Sequence, residues 1–169
     1  MTRRPAISIV MAAYNSERHL RTAIESVLAE TRLELELVVI DDGSTDSTPR
    51  ILAECATADR RLVIHCQENA GSAAALNRGI AIARAPLIAR LDSDDVALPG
   101  RLWEQHRFLA TNERVQLVGG QAQIIDESGR IVAEGRYPLT DQAIRKSFAS
   151  STPFVHSARS EERRVGKEC

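Results

Sequence analysis

Long apolar runs, a signal-peptide core and an excess of positive charge are all missing from this sequence of 169 residues. No apolar run approaches the ~18 residues of a membrane-spanning helix, so we predict no membrane span. The formal net charge of −1 argues against a nucleic-acid partner, because nucleic-acid-binding surfaces carry a basic stripe. We therefore expect a cytoplasmic protein, either free or held peripherally at the inner face of a membrane.

Cysteine is also scarce, and two familiar glycine-rich motifs are absent. Cys55, Cys66 and Cys169 have neither metal-site spacing nor the density of a disulfide framework, which predicts buried free thiols at the first two positions. The absence of a G-x-G-x-x-G motif and of a P-loop removes the main sequence support for a dinucleotide-binding or Walker-type protein. The length and the 43% of apolar residues fit one domain with its own core.

The sequence does contain a regular alternation of strand and helix patterns. Apolar, largely β-branched runs predict strands at 7–11, 35–40, 62–66 and 86–89. Helical periodicity lies between them, and in the first helix, with Ser16 as predicted N-cap, it places Leu20, Ala23, Ile24, Val27 and Leu28 on one stripe. Successive strand-loop-helix units imply right-handed crossovers and a mostly parallel sheet with helices on both faces.

Polar residues cluster in the loops that leave the carboxyl ends of these strands, where open α/β sheets bind their ligands. The last loop holds Asp92, Asp94 and Asp95, and like charges so close together need a compensating cation. Carboxylate oxygens suit Mg²⁺ or Mn²⁺. The alternative is an acidic turn that ends a strand and caps a helix. The four loops, which we expect to converge on one crevice, cover residues 12–15, 41–46, 69–72 and 92–95.

After residues 91–95, which we call the acidic stretch, the pattern shifts towards mixed or antiparallel pairing. Pro99 starts a predicted helix, and Thr140 is the predicted cap of another short helix. Strands are predicted at 115–118, 121–125 and 131–133, the last two joined by a hairpin turn.

Four stretches stand out in the sequence, residues 8–15 (SIVMAAYN), 39–46 (VIDDGSTD), 69–79 (NAGSAAALNRG) and 91–102 (LDSDDVALPGRL). In this order they resemble the signatures of family 2 glycosyltransferases of the GT-A fold. The resemblance covers roughly residues 6–158, and four motifs in the right order make it specific, whereas D-x-D alone would not be. It implies a Rossmann-like, mostly parallel sheet flanked by helices, with a mixed or antiparallel C-terminal part.

The resemblance also implies a nucleotide-diphosphate sugar donor, with Mn²⁺ or Mg²⁺ on its diphosphate. The sugar would be transferred to an acceptor hydroxyl, generally with inversion, in polysaccharide or glycan biosynthesis. UDP is the favoured nucleotide from family frequency, and the acceptor would be a glycan or a lipid-linked molecule. By analogy Asp94 is the first choice for the metal and Asp95 the second, while Asp92 is favoured for the ribose. Asp42, with Asp41 beside it, would accept a hydrogen bond from the base ring. The remaining implied donor-binding residues are Ala12, Ala13, Tyr14, Asn15, Asn69, Gly71, Asn77 and Ser93.

The pattern departs from the family near its end. An inverting transferase needs a carboxylate base, and family members carry it well downstream of a segment that resembles residues 152–157. We therefore expect the base to be missing from this chain, which would bind donor without transferring sugar. Four carboxylates within the chain could in principle serve as the base, although turn and cap roles are favoured for them: Asp126, Glu127, Glu134 and Asp141.

The domain prediction is an incomplete, truncated GT-A domain at residues 1–158, followed by a charged tail at 159–169. The tail resembles a translated sequencing adapter and is predicted to be disordered or artefactual, with a native solvated tail as the alternative. Two other functions stay open. One is a nucleotide-sugar-binding module without catalysis. The other is a nucleotidyltransferase, which would usually have a Gly-rich, Lys/Arg-bearing loop that residues 12–16 do not offer.

Overall fold

The computed structural model describes residues 4–163, which form a six-stranded sheet with helices on both faces. Strand β1, Ile7–Ala13, pairs in parallel with β2, Leu35–Asp41, on one side and with β4, Leu87–Arg90, on the other. Strand β3, Leu62–Cys66, pairs in parallel with β2. The four predicted strands and their parallel pairing are therefore confirmed.

The second half of the chain extends this sheet with antiparallel strands. Strand β5, Leu117–Gly119, is the edge strand, and β8, Arg159–Glu162, lies between it and β4, antiparallel to both. Strands β6, Ala122–Ile125, and β7, Ile131–Gly135, form the predicted hairpin as a separate two-stranded sheet. The sheet order is β3-β2-β1-β4-β8-β5, so the predicted mixed C-terminal part is confirmed.

Strand β8 corrects the prediction that residues 159–169 form a disordered tail. The Ser160 hydroxyl is fully buried and donates to Oε1 of Gln105 at 2.7 Å, while Arg159 pairs with Glu161 at 3.5 Å. A charged segment forms a strand here because β4 and β5 supply backbone partners on both sides, and such context outweighs strand propensity. The rest of the predicted tail, residues 164–169, lies outside the described residues, and the artefactual origin stays a prediction.

The helices divide the core into two layers. Side chains of β1 alternate, so that Ile7, Ile9 and Met11 pack in the layer that contains α1, α2 and α4, whereas Val10 packs on α3. Burial on both faces explains why the strands are nearly continuous in apolar residues. The helices are α1 (Leu20–Leu28), α2 (Thr48–Ala58), α3 (Ser72–Ile82), α4 (Arg101–Thr111) and α5 (Asp141–Ser147), and a 3₁₀ turn covers His156–Ala158.

The α3 side of the sheet is closely packed and carries an ion pair whose carboxylate, Glu36, is buried. A Cβ atom on Gly79 would lie 2.5 Å from Cγ1 of Val10, so only glycine fits this contact between α3 and β1. Towards the amino ends of the strands, Glu36 accepts hydrogen bonds from Ser8 at 2.5 Å and from the backbone and Nε of Arg84, both at 2.6 Å. Burial would raise the pKa of Glu36, but these hydrogen bonds outweigh it and lower the pKa.

The two cysteines in the described chain are both free, but their environments differ. Cys55 is buried in α2, as predicted. Cys66 is exposed at the end of β3, because β3 is an edge strand, so the prediction of a buried thiol there is wrong. Within residues 4–163, none of the helices combines the length and the apolar character that crossing a membrane requires.

Candidate functional site

The loops that leave β1 and β2 are joined through Asn15. The Asn15 backbone N–H donates to Oγ of Ser44 at 3.0 Å, and the Asn15 side-chain oxygen accepts from the backbone N–H of Thr45 at 2.8 Å. Asn15 has a φ of +48°, in the left-handed region that asparagine enters more readily than most residues. These contacts fix the first loop, residues 14–19, against the second, residues 42–47.

Ser16 joins the first loop to α2 and to the loop after β4. Its backbone N–H donates to Oγ1 of Thr48 at 2.8 Å, and its hydroxyl lies 2.8 Å from the hydroxyl of Ser93. The prediction that Ser16 caps α1 is wrong, because the helix begins at Leu20 after a turn and has His19 at its N-cap. The hydroxyl is used for the contact between loops instead.

Asp42 joins the second loop to the third, residues 67–71. The residue is only 2% exposed, and its Oδ1 accepts from Nε2 of Gln67 at 2.6 Å and from the backbone N–H of Ala70 at 3.0 Å. Its Oδ2 accepts from the N–H of Gly71 at 2.9 Å. Hydrogen bonds from Ala70 and Gln67, and then from Gly71, lower the pKa of Asp42 although burial opposes them. Donors of the chain therefore already hold both oxygens of this carboxylate. Its contact with a base ring stays a prediction.

The other predicted residues at the ends of β1 and β2 are mostly enclosed. Asp41 is buried, and its Oδ1 accepts from the backbone N–H of Ser44 at 3.0 Å. Ala12 is half-buried and Ala13 is buried. Tyr14 is 52% exposed, and its side chain is therefore open to a ligand.

The third loop packs against the second, but the two predicted asparagines in and after it, Asn69 and Asn77, make no side-chain hydrogen bond within the described residues. A Cβ atom on Gly43, where φ is +78°, would lie 2.9 Å from the backbone nitrogen of Asn69. Asn69 and Gly71 are exposed at the carboxyl edge of the sheet, whereas Asn77 lies within α3. Among residues 4–163, no hydrogen-bond partner contacts the side chain of Asn69 or Asn77, so both remain open to solvent.

The carboxylates of the acidic stretch have different surroundings. Oδ1 of Asp92 accepts from Nε and Nη2 of Arg90 at 3.1 and 3.0 Å, which compensates one negative charge. Asp94 is exposed and receives no hydrogen bond from the described part of the chain. Asp95 is also exposed, and its Oδ2 accepts a hydrogen bond from the hydroxyl of Ser157.

The donor set at Asp94 and Asp95 fits a cation that is shared with a ligand. Over residues 4–163, no three His, Cys, Asp or Glu side chains are placed to hold a metal by themselves. Mg²⁺ in nucleotide sites is usually held by one or two carboxylates together with waters and phosphates, and Mn²⁺ prefers the same hard oxygens. The Asp94 carboxylate and Oδ1 of Asp95 can serve in this way.

Three residues outside the predicted set belong to this site. Gln67 donates to the Asp42 carboxylate, and Ser157 donates to the Asp95 carboxylate. Arg101 donates from Nη2 to the carbonyl of Arg90 at 2.9 Å. Burial lowers the pKa of Arg101 to about 10, while the charge of Asp95 raises it. The sequence offered a signal for two of them, because Arg101 lies within the fourth stretch that carries the family resemblance and Ser157 lies in the later segment 152–157, which also resembles the family. Gln67 had none, since a loop glutamine follows no pattern.

The fold is that of GT-A glycosyltransferases. The mannosyltransferase PcManGT from Pyrobaculum calidifontis, solved with GDP-Man and Mn²⁺, matches with a TM-score of 0.71 and 22% identity, over 96% of this chain and 46% of that chain. TarS of S. aureus, residues 1–349, solved with UDP-GlcNAc, matches with a TM-score of 0.67 and 21% identity, over 93% and 45%. At these identities the likeness shows the fold alone.

Sequence comparison then gives the family. The model of glycosyl transferase family 2 matches residues 8–165. EpsE of Bacillus subtilis, a protein designated as a glycosyltransferase, is 37% identical over 154 residues, 90% of this chain and 54% of EpsE. The O-antigen biosynthesis glycosyltransferase WbnJ of Escherichia coli is 30% identical over 151 residues, 89% and 59% of the two chains. The chain belongs to glycosyl transferase family 2, and it spans about half the length of the curated relatives it matches.

Proposed function

We propose that this chain forms the donor-binding part of an inverting family 2 glycosyltransferase that acts in polysaccharide or glycan assembly. The observation that carries the proposal is the bonding of four loops at the carboxyl edge of a parallel sheet, where open sheets bind ligands. A nucleotide-sugar donor is supported by PcManGT, solved with GDP-Man, and TarS, solved with UDP-GlcNAc. Polysaccharide assembly is supported by the name of WbnJ.

In this proposal the first three loops bind the nucleotide. Residues 12–15 line the base and ribose, and residues 67–71 form the facing wall. Asp42 fixes the separation of these walls, because it bonds three donors of the third loop while its own N–H donates to the carbonyl of Ala13 at 2.9 Å. A pocket that is already ordered loses less entropy when it binds. UDP stays the favoured nucleotide.

The diphosphate end belongs to the acidic stretch. Asp94 and Asp95 would hold Mn²⁺ or Mg²⁺, and when bound the cation supplies positive charge to the departing diphosphate. Asp92 keeps Oδ2 without a donor among the described residues, so this oxygen remains for the ribose hydroxyls. Ser93 holds the stretch against the first loop through Ser16, which keeps the nucleotide and diphosphate ends in register.

Calorimetric titration of UDP, GDP and dTDP with and without Mn²⁺ tests the proposal. We expect Mn²⁺ to tighten binding of one nucleotide about tenfold or more, which corresponds to at least ~1.4 kcal/mol. Asp94→Asn should remove this increment, whereas Asp141→Asn, which changes an exposed aspartate in α5, should leave it unchanged. Equal binding with and without metal, or no binding of any of the three nucleotides, would refute the proposal.

A binding module without catalysis is the second candidate, because the carboxylates that were considered as a base have other partners. Asp126 accepts from the N–H groups of Ser128 and Arg130 in the hairpin turn at 2.8 and 3.1 Å. The other three form ion pairs, Glu127 with Arg18, Glu134 with Arg136 and Asp141 with Arg145.

Loss of a general base costs about 10²–10⁴ in rate, so we predict that the 169-residue chain binds donor without measurable transfer. Acceptor-dependent release of nucleotide, measured with metal and a panel of nucleotide sugars, tests this prediction. Multiple turnovers would show that one of these carboxylates does act as the base.

A further inference from the structure

The 3₁₀ turn His156–Ala158 brings a side chain to the acidic stretch from a distant part of the sequence. Ser157 is 6% exposed, and its hydroxyl donates to Oδ2 of Asp95, 62 residues away in the chain. Across the described residues, Oδ1 of Asp95 receives no hydrogen bond. One oxygen of this carboxylate is therefore held, and the other is open.

The backbone on either side of Ser157 is firmly anchored. Gln105 of α4, which is buried, donates from Nε2 to the carbonyl of Ala158 at 2.9 Å and accepts from the hydroxyl of Ser160 at 2.7 Å. The carbonyl of Ala158 also accepts from the N–H of Gly120 at 2.8 Å. Because helix and sheet both fix this segment, the Ser157 hydroxyl constrains Asp95 and does not simply follow its movements.

A half-buried positive charge, that of Arg101, lies near the same carboxylate. Arg101 donates to the carbonyl of Arg90 at 2.9 Å and to that of Arg159 at 3.5 Å, so it joins the end of β4 to the start of β8. No carboxylate of the described chain lies within salt-bridge distance of Arg101. Burial lowers the pKa of Arg101 and the charge of Asp95 opposes this, although no ion pair between the two side chains occupies the open oxygen.

We propose that Ser157 is a positioning residue that holds Oδ2 of Asp95 and so presents Oδ1 to the divalent cation of the donor site. The inference rests on the proposed function, since it assigns a role toward the cation assumed there. Carboxylate ligands of metals are commonly oriented by hydrogen bonds from a surrounding group, and loss of such a group typically costs about 10–100-fold in metal affinity. Ser157→Ala should weaken Mn²⁺ binding by that factor.

The test follows free Mn²⁺ by electron paramagnetic resonance, with and without UDP, for wild type, Ser157→Ala, Asp95→Asn and the double variant. Ser151→Ala, an exposed serine of the same segment, is the control and should bind as wild type does. We expect Ser157→Ala to reduce Mn²⁺ affinity in the wild-type background and to add no further loss in the Asp95→Asn background. Thermal unfolding of each variant in metal-free buffer checks that the fold is kept.

Failure of the inference and failure of the proposed function give different results. If wild type binds Mn²⁺ with UDP and Ser157→Ala does so equally well, the positioning role is wrong and the proposed function stands. An equal loss in both backgrounds also overturns the positioning role, because the hydroxyl would then act without Asp95. If wild type binds no Mn²⁺ with UDP, and none with GDP or dTDP either, the proposed function fails and the inference fails with it.

Discussion

Asp42→Asn is the substitution for which the structure predicts the clearest effect. Three donors reach the Asp42 carboxylate, two on Oδ1 from Gln67 and Ala70 and one on Oδ2 from Gly71. An asparagine has one side-chain oxygen and an NH₂ group that only donates. If its oxygen serves the first pair, the NH₂ group faces the Gly71 N–H, and the reverse orientation loses two bonds. The third loop therefore loses at least one anchor in either orientation.

The expected cost follows from these counts. A hydrogen bond to a charged group contributes about 1.5–3 kcal/mol, and a neutral one about 0.5–1.5 kcal/mol. Losing one charged bond and converting two others to neutral bonds should together lower the free energy of unfolding by about 3.5–6 kcal/mol. Urea denaturation measures this value. Asp41→Asn is the matched control, because Asp41 is similarly buried and an amide oxygen can still accept the hydrogen bond from its single donor, the Ser44 N–H. Only one bond changes from charged to neutral, so the cost should be about 1–1.5 kcal/mol.

The stability difference between wild type and Asp42→Asn should also depend on pH. The pKa of Asp42 is lower in the folded protein than its ordinary value of 3.8. The carboxylate therefore contributes its full stabilisation above that ordinary value, and the contribution is lost as the pH falls through the lowered pKa. The difference should be constant near neutral pH and shrink only in acid. Equal unfolding midpoints at pH 7 would refute the anchoring role, and weakened nucleotide binding at unchanged stability would favour a direct ligand contact.

Two further substitutions test the packing and the charge on the α3 side of the sheet. Gly79→Ala should cost about 1–3 kcal/mol of unfolding free energy, because the new methyl group would lie 2.5 Å from Cγ1 of Val10, and an unchanged urea midpoint would contradict this close packing. Arg84→Met leaves Glu36 buried without its cation and should cost about 2–3 kcal/mol, less than the ~3–5 kcal/mol of a fully buried pair because the Arg84 side chain is 56% exposed. Arg145→Met, which removes an exposed pair in α5, should change the same measurement by less than about 0.5 kcal/mol.

Sequence reasoning succeeded where the determinant was local. The strands that begin at Ile7 and Leu35 are nearly continuous runs of apolar residues, and such a run by itself indicates a strand that is buried on both faces. The position of Asn15 at a loop could be predicted, but its bonds to Ser44 and Thr45 could not, because they depend on a partner about 30 residues away. That the four loops meet at one edge of the sheet followed from the predicted topology, whereas the hydrogen-bond partners between these loops are set by tertiary packing.

Strand β8 was missed for a related reason. Its side chains are mostly charged, and neither strand propensity nor apolar alternation marks the segment. Its backbone is satisfied by β4 and β5, and Ser160 by Gln105 of α4, none of which can be read from residues 159–162 alone. For the same reason the contact between Ser157 and Asp95 was not foreseen, although Asp95 lies in a stretch that carries the resemblance and Ser157 lies in the family-like segment 152–157.

The place of β8 in the sheet also sets the order in which the sheet can be assembled during synthesis. Strands β1 to β4 follow one another in the chain and pair among themselves, so this half can form as soon as residue 90 is available. Strand β5 pairs, among the described strands, only with β8, which is made about 40 residues later. Until β8 has been synthesised, β5 lacks its pairing strand and Asp95 lacks the hydrogen bond from Ser157. The strand that leads on from Ser157 is therefore the last strand of the described sheet to be synthesised.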